Sequence, residues 1–164
     1  MSTTDTWTIA LANGTRDTER LFPLVDAYRV FYGQPSDPGA ARAFVHDRFV
    51  KNDTLFIVAR TESGEMLGFA HLLFSLETVS LGTIGILEDI YVVESARGSG
   101  IGGALLDAAE RHARERGLTR LTLATAHQNR TAQRLYLAHG YVPDQRFRSF
   151  NRFLTETEIV SSVR

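Results

Sequence analysis

LEDIYVVESARGSGIGGALL, the stretch from Leu87 to Leu106, decides how the chain is read. Leu87 to Val93 is apolar and β-rich. Arg97 to Gly103 is dense in glycine, and from Ile101 the apolar residues recur at helical spacing. This is a strand, a turn and the first turns of a helix. A helix that begins in glycine presents free backbone N–H groups and the positive end of its dipole to a phosphate. Two carboxylates, Glu88 and Asp89, stand upstream and suit the handling of a proton or a cation.

Downstream, Ile101, Leu105, Ala108 and His112 share one helical face, with Ala104 beside them. Asp107–Arg111 and Glu110–Arg114 are i,i+4 pairs in the favourable order. Gly117 ends this helix, and Leu118 to Thr125 alternates as a strand. Asn129 caps a further helix carrying Ala132, Leu135 and Tyr136, which Gly140 ends. Tyr141-Val142-Pro143 and Phe147 to Leu154 suggest a final pair of strands. The polar tail after Thr155 is expected to fray.

Upstream, Trp7 to Ala12 fits a first strand. Thr15 to Tyr32 reads as a helix with Leu21, Leu24, Val25, Tyr28 and Phe31 at helical spacing, and Pro23 in its first turn or at a kink. After a loop from Gly33 to Gly39, Asp37 and Pro38 open a second helix to about Asn52, with Ala41, Phe44, Val45 and Phe49 facing inward. Thr54–Arg60 and Met66–Leu76 form a hairpin over the turn Glu62–Glu65. Glu77 to Gly85 is a loop or ragged strand start, and Ile86 to Val93 is the strand of the opening stretch. The order β-α-α-β-β-β-α-β-α-β-β predicts an α/β (α+β) fold. Its mixed, largely antiparallel sheet of about seven strands is flanked by about four helices, in one domain over residues 1–164.

With 164 residues, 43% hydrophobic and 23% charged, the chain can bury a substantial core. A formal net charge of −1 gives no field that would draw it to nucleic acid or an anionic membrane. It contains no cysteine, which excludes a cysteine nucleophile, a disulfide framework and the common zinc patterns. None of the five histidines has metal-ligand company, so no metal is expected. The N-terminus lacks the pattern of a signal peptide, and no apolar run is long enough for a membrane span, so a cytoplasmic protein is expected. Lys51 is the only lysine and the other basic residues are arginine, which we read as the codon bias of a GC-rich, bacterial genome.

Which phosphate the turn would hold follows by comparison of motifs. Gly98-x-Gly100-x-x-Gly103 formally matches a dinucleotide fingerprint. That reading needs an acid closing the next strand, where Leu123-Ala124-Thr125-Ala126 has none. It also leaves no room for a wound series of βαβ units. A nucleotide P-loop needs Gly-Lys-Ser/Thr, which is missing.

The pyrophosphate of coenzyme A remains. Arg97-Gly98-Ser99-Gly100-Ile101-Gly102 resembles the Arg/Gln-x-x-Gly-x-Gly/Ala signature of the GNAT superfamily of acetyl-CoA-dependent N-acetyltransferases. Ile90-Tyr91-Val92 is similar to that family's cofactor-binding strand. Asn129, Ala132, Tyr136 and Gly140-Tyr141 are similar to its Asn…Ala…Tyr…Gly-Phe/Tyr segment. Gly68 to Ser75 with Leu87 to Val92 further resembles the diamine (polyamine) and thialysine branch, and the stretch Ala27 to Tyr32 is compatible with it.

The resemblance implies acetyl-CoA as co-substrate. Ile90, Tyr91 and Val92 would lie along its pantetheine. Arg97, Gly98, Ser99, Gly100, Ile101, Gly102 and Gly103 would hold its pyrophosphate, and Asn129 and Tyr136 would also contact it. Acyl transfer to an amine needs a neutral nucleophile, yet an alkylammonium of pKa near 10 leaves about one part in a thousand unprotonated at pH 7. Glu88 is the expected base, acting directly or through a water, with Asp89 positioning a cationic acceptor. On a regular strand adjacent side chains point to opposite faces, so both serve one site only if the strand bulges. Otherwise one of them simply pairs with an arginine. Tyr136 is the expected acid for the departing thiolate. From periodicity alone it is a core tyrosine, and the motif reverses that reading.

Tyr32 and His71 are candidate acceptor contacts, with packing or surface placement the alternative for His71. Within enzymes, a protein or peptide amine is the rival acceptor to a small cationic amine. A non-catalytic acyl-CoA sensor is the rival from another class. A homodimer is expected by analogy only.

Overall fold

The computed structural model describes residues 6–154. The elements are β1 (Trp7–Leu11), α1 (Gly14–Phe31), α2 (Pro38–Lys51), β2 (Thr54–Thr61), β3 (Met66–Glu77) and β4 (Gly82–Val92). A 3-10 turn at Glu94–Ala96 follows, then α3 (Ile101–Glu115), β5 (Leu121–Leu123) and α4 (Arg130–Ala138). The sheet order is β1-β2-β3-β4-β5. The first three pairings are antiparallel, and β5 runs parallel to β4.

Alternation along the strands divides the core in two. Phe56, Val58 and Phe69 point to one face and meet Leu21, Val25, Ala41 and Val45 of α1 and α2. Ile57, Ala59, Ala70 and Leu87 point to the other face and meet Ile101, Leu105, Ala108 and Ala109 of α3, with Tyr136 of α4. The expected inward face of α2 is present in Ala41 and Val45, whereas Phe44 is 46% exposed.

Local signals explain most boundaries. The Asp37 side chain accepts the Ala40 N–H at 2.9 Å, and Pro38 is the first residue of α2. Asp26 of α1 accepts Ser36 Oγ–H at 2.6 Å and the Asp37 N–H at 2.8 Å, which ties the intervening loop to the helix before it. These bonds hold the Asp26 carboxyl below its usual range. Pro23 lies in the middle of α1, not in its first turn. Having no N–H, it leaves the helical bond to the Glu19 carbonyl unmade. Glu110 pairs with Arg114 as expected. Asp107 instead faces His139 across the helix pair, at 3.6 Å.

The strand count differs from expectation: five strands form among the described residues, not about seven. β5 covers three residues of the expected Leu118–Thr125 and pairs only with Gly85, Ile86 and Leu87. The expected final pair is not formed among the described residues of 141–154. There the Asp144 carboxylate accepts the Arg146 and Phe147 N–H groups, at 2.8 and 3.0 Å. That local turn takes up two donors a ladder would use. Val142, Phe147, Phe150 and Leu154 are exposed. The polar tail after Thr155 lies outside the described residues.

Candidate active site

The site begins at an irregularity in β4. Along β3, His71 stands opposite Asp89 and the next residue, Leu72, stands opposite Leu87. Glu88 is therefore the extra residue of a β-bulge. The bulge breaks the alternation, so that Leu87 and Ile90, three apart, both pack on the α3 side.

The parallel pairing with β5 ends at the same place, at Leu87 and Leu123. From Glu88 to Val92, β4 runs on without a strand on that side among the described residues. Its free backbone groups form the edge of a cleft. Leu87, Glu88, Ile90 and Tyr91 line it from β4, and Ala124, Asn129, Ala132 and Tyr136 line it opposite. Tyr28, Phe31 and Tyr32, from the end of α1, close a third side.

Tyr136 reaches the cleft because α4 is started and fixed there. Asn129 accepts the Ala132 N–H at its N-terminus, and Tyr141 donates its N–H to the Tyr136 carbonyl at 3.0 Å. Tyr136 is 7% exposed, and burial, with Tyr32 nearby, pushes its phenol up to about 12. It therefore stays protonated across the physiological range. No hydrogen bond among the described residues engages its hydroxyl.

At the far end of the free edge comes the glycine turn. Gly98 and Gly100 have φ of 77° and 87°, a conformation that strains any side chain, although a Cβ there would meet nothing within 4 Å. Ser99 donates its hydroxyl to the Ala96 carbonyl at 2.6 Å. The N–H groups of Ile101, Gly102 and Gly103 fall in the first turn of α3, where no helical partner exists. That turn carries no acid. Added Cβ atoms on Gly102 and Gly103 would lie 3.3 Å from Leu135 and His139, so these two glycines let α4 approach α3. An open cradle of unpartnered donors, continued by the free edge of β4, fits a pyrophosphate with an extended arm.

A scan against family models matches residues 21–141 to the acetyltransferase (GNAT) family. The chain belongs to the GNAT acetyltransferases. An uncharacterized N-acetyltransferase of Bacillus subtilis, YhfO, is 41% identical over 133 residues, covering 81% of this chain and 89% of that protein. The aminoglycoside N(6')-acetyltransferase type 1 of Klebsiella aerogenes is 38% identical over 98 residues, 58% of this chain and 64% of that enzyme. Among solved structures, a probable acetyltransferase superposes with a TM-score of 0.85 at 32% identity, covering 91% of this chain and 99% of the other. This GNAT protein is an acetyl-CoA-dependent N-acetyltransferase, and it has the mixed α/β fold of the family.

Of the residues singled out in the GNAT sequence, the structure brings Glu88, Ile90, Tyr91, Asn129, Tyr136 and Tyr32 together around the cleft. Val92 and residues 98–103 continue from it along the free edge and the glycine turn. Arg97 folds back. It donates Nε–H to the Val92 carbonyl at 3.0 Å, and its guanidinium lies 5.6 Å from the Phe31 ring and 5.9 Å from that of Tyr91. Asp89 and His71 do not line the cleft; they contact each other beside it. Tyr28 and Phe31, which the sequence places only at helical spacing in α1, line the cleft. Their spacing with Tyr32, i, i+3 and i+4, was the available signal. Among the described residues, no three His, Cys, Asp or Glu side chains could share a metal ion, and no helix is long and apolar enough to cross a membrane.

Proposed function

We propose that this acetyltransferase moves an acetyl group directly from acetyl-CoA to the primary amine of a small cationic molecule, polyamine- or thialysine-like, with residues 1–164 as one catalytic domain. The observation that carries the reading is the pairing of Glu88 and Tyr136 across one cleft, at the end of the free β4 edge. Glu88, looped out by the bulge and exposed, accepts the amine's proton directly or through a water. The amine nitrogen bonds to the thioester carbonyl carbon and the carbon–sulfur bond breaks. Tyr136 donates its hydroxyl proton, or a hydrogen bond, to the departing sulfur. A backbone N–H of Ile90–Val92 steadies the developing oxyanion. The glycine turn and the first turn of α3 hold the pyrophosphate.

The names of relatives support a small acceptor. Besides the aminoglycoside enzyme, they include a D-amino-acid N-acetyltransferase of Saccharomyces cerevisiae and an aminoalkylphosphonate N-acetyltransferase of Salmonella typhimurium. Glu88 at the cleft and the aromatic wall of Tyr28, Phe31 and Tyr32 favour a cation among such amines. A cytoplasmic setting and a homodimer belong to the same reading. The exposed apolar residues Val142, Phe147, Phe150 and Leu154 support the homodimer.

The test is thiol release from acetyl-CoA with spermidine, thialysine, neamine, a D-amino acid, aminoethylphosphonate and a peptide with a free N-terminus. Preferred turnover of spermidine or thialysine is expected. Preference for the peptide overturns the small-acceptor reading. Tight CoA binding with no thiol release from any amine would make the protein a sensor.

A further inference from the structure

The bulge in β4 sets one residue of β3 against two consecutive acids. His71 faces Asp89 in the ladder, Leu72 faces Leu87, and Glu88 falls between them. On either side of this point the register is held by apolar pairs, Leu72 with Leu87 and Ala70 with Ile90. Those pairs would be the same whichever acid were looped out. Some further contact has to select which acid turns to the buried face of the sheet and which leaves it.

His71 supplies that contact. It is buried, and the chemistry above leaves it unused. Its ring stacks on Phe56, with centroids 4.1 Å apart and planes at 7°, and Phe44 stands edge-on at 5.9 Å. Nδ1 lies 3.2 Å from Asp89 Oδ2. A lone pair on Nδ1 would set two acceptors face to face, so Nδ1 carries a proton and donates it. Nε2 has no hydrogen-bond partner among the described residues. Asp89 is therefore the one polar anchor of this ring among the described residues, and without it a buried N–H would go unpaired.

We propose that His71 and Asp89 are a positioning pair: by taking Asp89 across the strands, His71 fixes the bulge so that Glu88, and not Asp89, is the acid presented to the cleft. Glu88 is exposed and lines the cleft, and Asp89 does not line it. The two consecutive acids thus divide the work. Glu88 meets the reacting amine, and Asp89 acts through Glu88 without touching substrate. When Asp89 is removed, His71 keeps a buried donor, and Glu88 is the adjacent acceptor that it draws out of the cleft. This rests on the reading of Glu88 as the base.

The experiment uses the full chain and the amine with the fastest thiol release in the panel above. Asp89→Ala is expected to lower kcat about tenfold and leave the acetyl-CoA KM within about twofold. Asp89→Asn, whose amide oxygen still accepts the Nδ1–H, should recover the turnover lost in Asp89→Ala. His71→Phe keeps the stacked ring, removes the donor and should show the same loss of kcat. In a Glu88→Gln background Asp89→Ala should cost no further turnover, because both act through one group. A crystal structure of Asp89→Ala should show the Glu88 carboxylate turned to His71 Nδ1. A raised acceptor KM in Asp89→Asn marks a charge contact with the acceptor and overturns the proposal. So do unchanged kcat in His71→Phe, losses that add to that of Glu88→Gln, and an Asp89→Ala structure in which Glu88 keeps its place in the cleft. Unchanged kcat in Glu88→Gln alone would remove Glu88 as the base, a separate failure, and the crystal structure still judges whether the pair places it.

Discussion

Asn129 accepts the Ala132 N–H at 3.1 Å, and that bond starts the helix on whose inner face Tyr136 sits. The cap satisfies one of the donors that every helix start leaves free. Asn129→Ala should cost about 1 kcal/mol of stability, with Asn129→Asp close to wild type. Chemical denaturation measures both. The alanine variant should also lose turnover, because α4 frays toward Tyr136. Unchanged stability in Asn129→Ala would show that the packing of α4 on α3 suffices without the cap.

Tyr136→Phe keeps the ring and removes the hydroxyl. If that hydroxyl serves the departing sulfur, kcat should fall by about 10²-fold or more, the size expected of a general acid. Acetyl-CoA affinity, measured by calorimetry, should change little. Equal losses in affinity and turnover would mark a binding contact instead.

The tyrosines also predict an alkaline window. Burial pushes Tyr136 and Tyr141 up to about 12, from an unfolded value near 10. Their neutral forms are thus favoured in the folded state. That stability is fully present below about pH 10 and is lost as pH rises through 12. Urea midpoints across pH 9 to 12 should fall over that window, and Tyr136→Phe should flatten the fall. A midpoint that begins to drop well below pH 9 would assign the loss to other groups.

Much of this arrangement is legible in the residues alone, and the rest is not for identifiable reasons. The turn at Gly98 and Gly100, the Asp37 and Asn129 caps and the β2–β3 hairpin follow from short-range chemistry that the chain spells out locally. The bulge at Glu88 does not, because LEDIYV alternates no differently with or without an extra residue in the ladder. The aromatic wall is ambiguous for a similar reason. Tyr28, Phe31 and Tyr32 have the spacing of a core face, and only the approach of β4 makes them the side of a cleft. The expected strands after Tyr141 show the converse failure. Residues with β preference still need an edge to pair with, and β5 offers only three residues.

Glu88→Gln isolates the proposed base. The amide keeps size and hydrogen bonding but cannot take a proton, so kcat should fall by about 10²-fold and the pH–rate profile should change shape. Acetyl-CoA affinity should hold, since Glu88 lies in the cleft at the bulge, away from the glycine turn. A mutant profile that overlays the wild type would place the base elsewhere.

Gly68 is a test of how closely β3 and β4 must approach beside the cleft. A Cβ built there would lie 2.6 Å from the Tyr91 carbonyl oxygen and 3.3 Å from the Val92 Cα. Both are backbone atoms of the strand whose other edge is free, so neither can rotate out of the way. Gly68→Ala must push β4 off β3, against the gain from lower unfolded-state entropy that such a substitution otherwise brings. The overpacking should dominate, at about 1–3 kcal/mol of lost stability. Because the displaced residues are Tyr91 and Val92, acetyl-CoA affinity should fall as well. Calorimetric titration with CoA, run beside urea denaturation, separates the two effects. An alanine variant as stable and as tight-binding as wild type would show that β4 can shift without cost, and that its position at Val92 does not set the cofactor site.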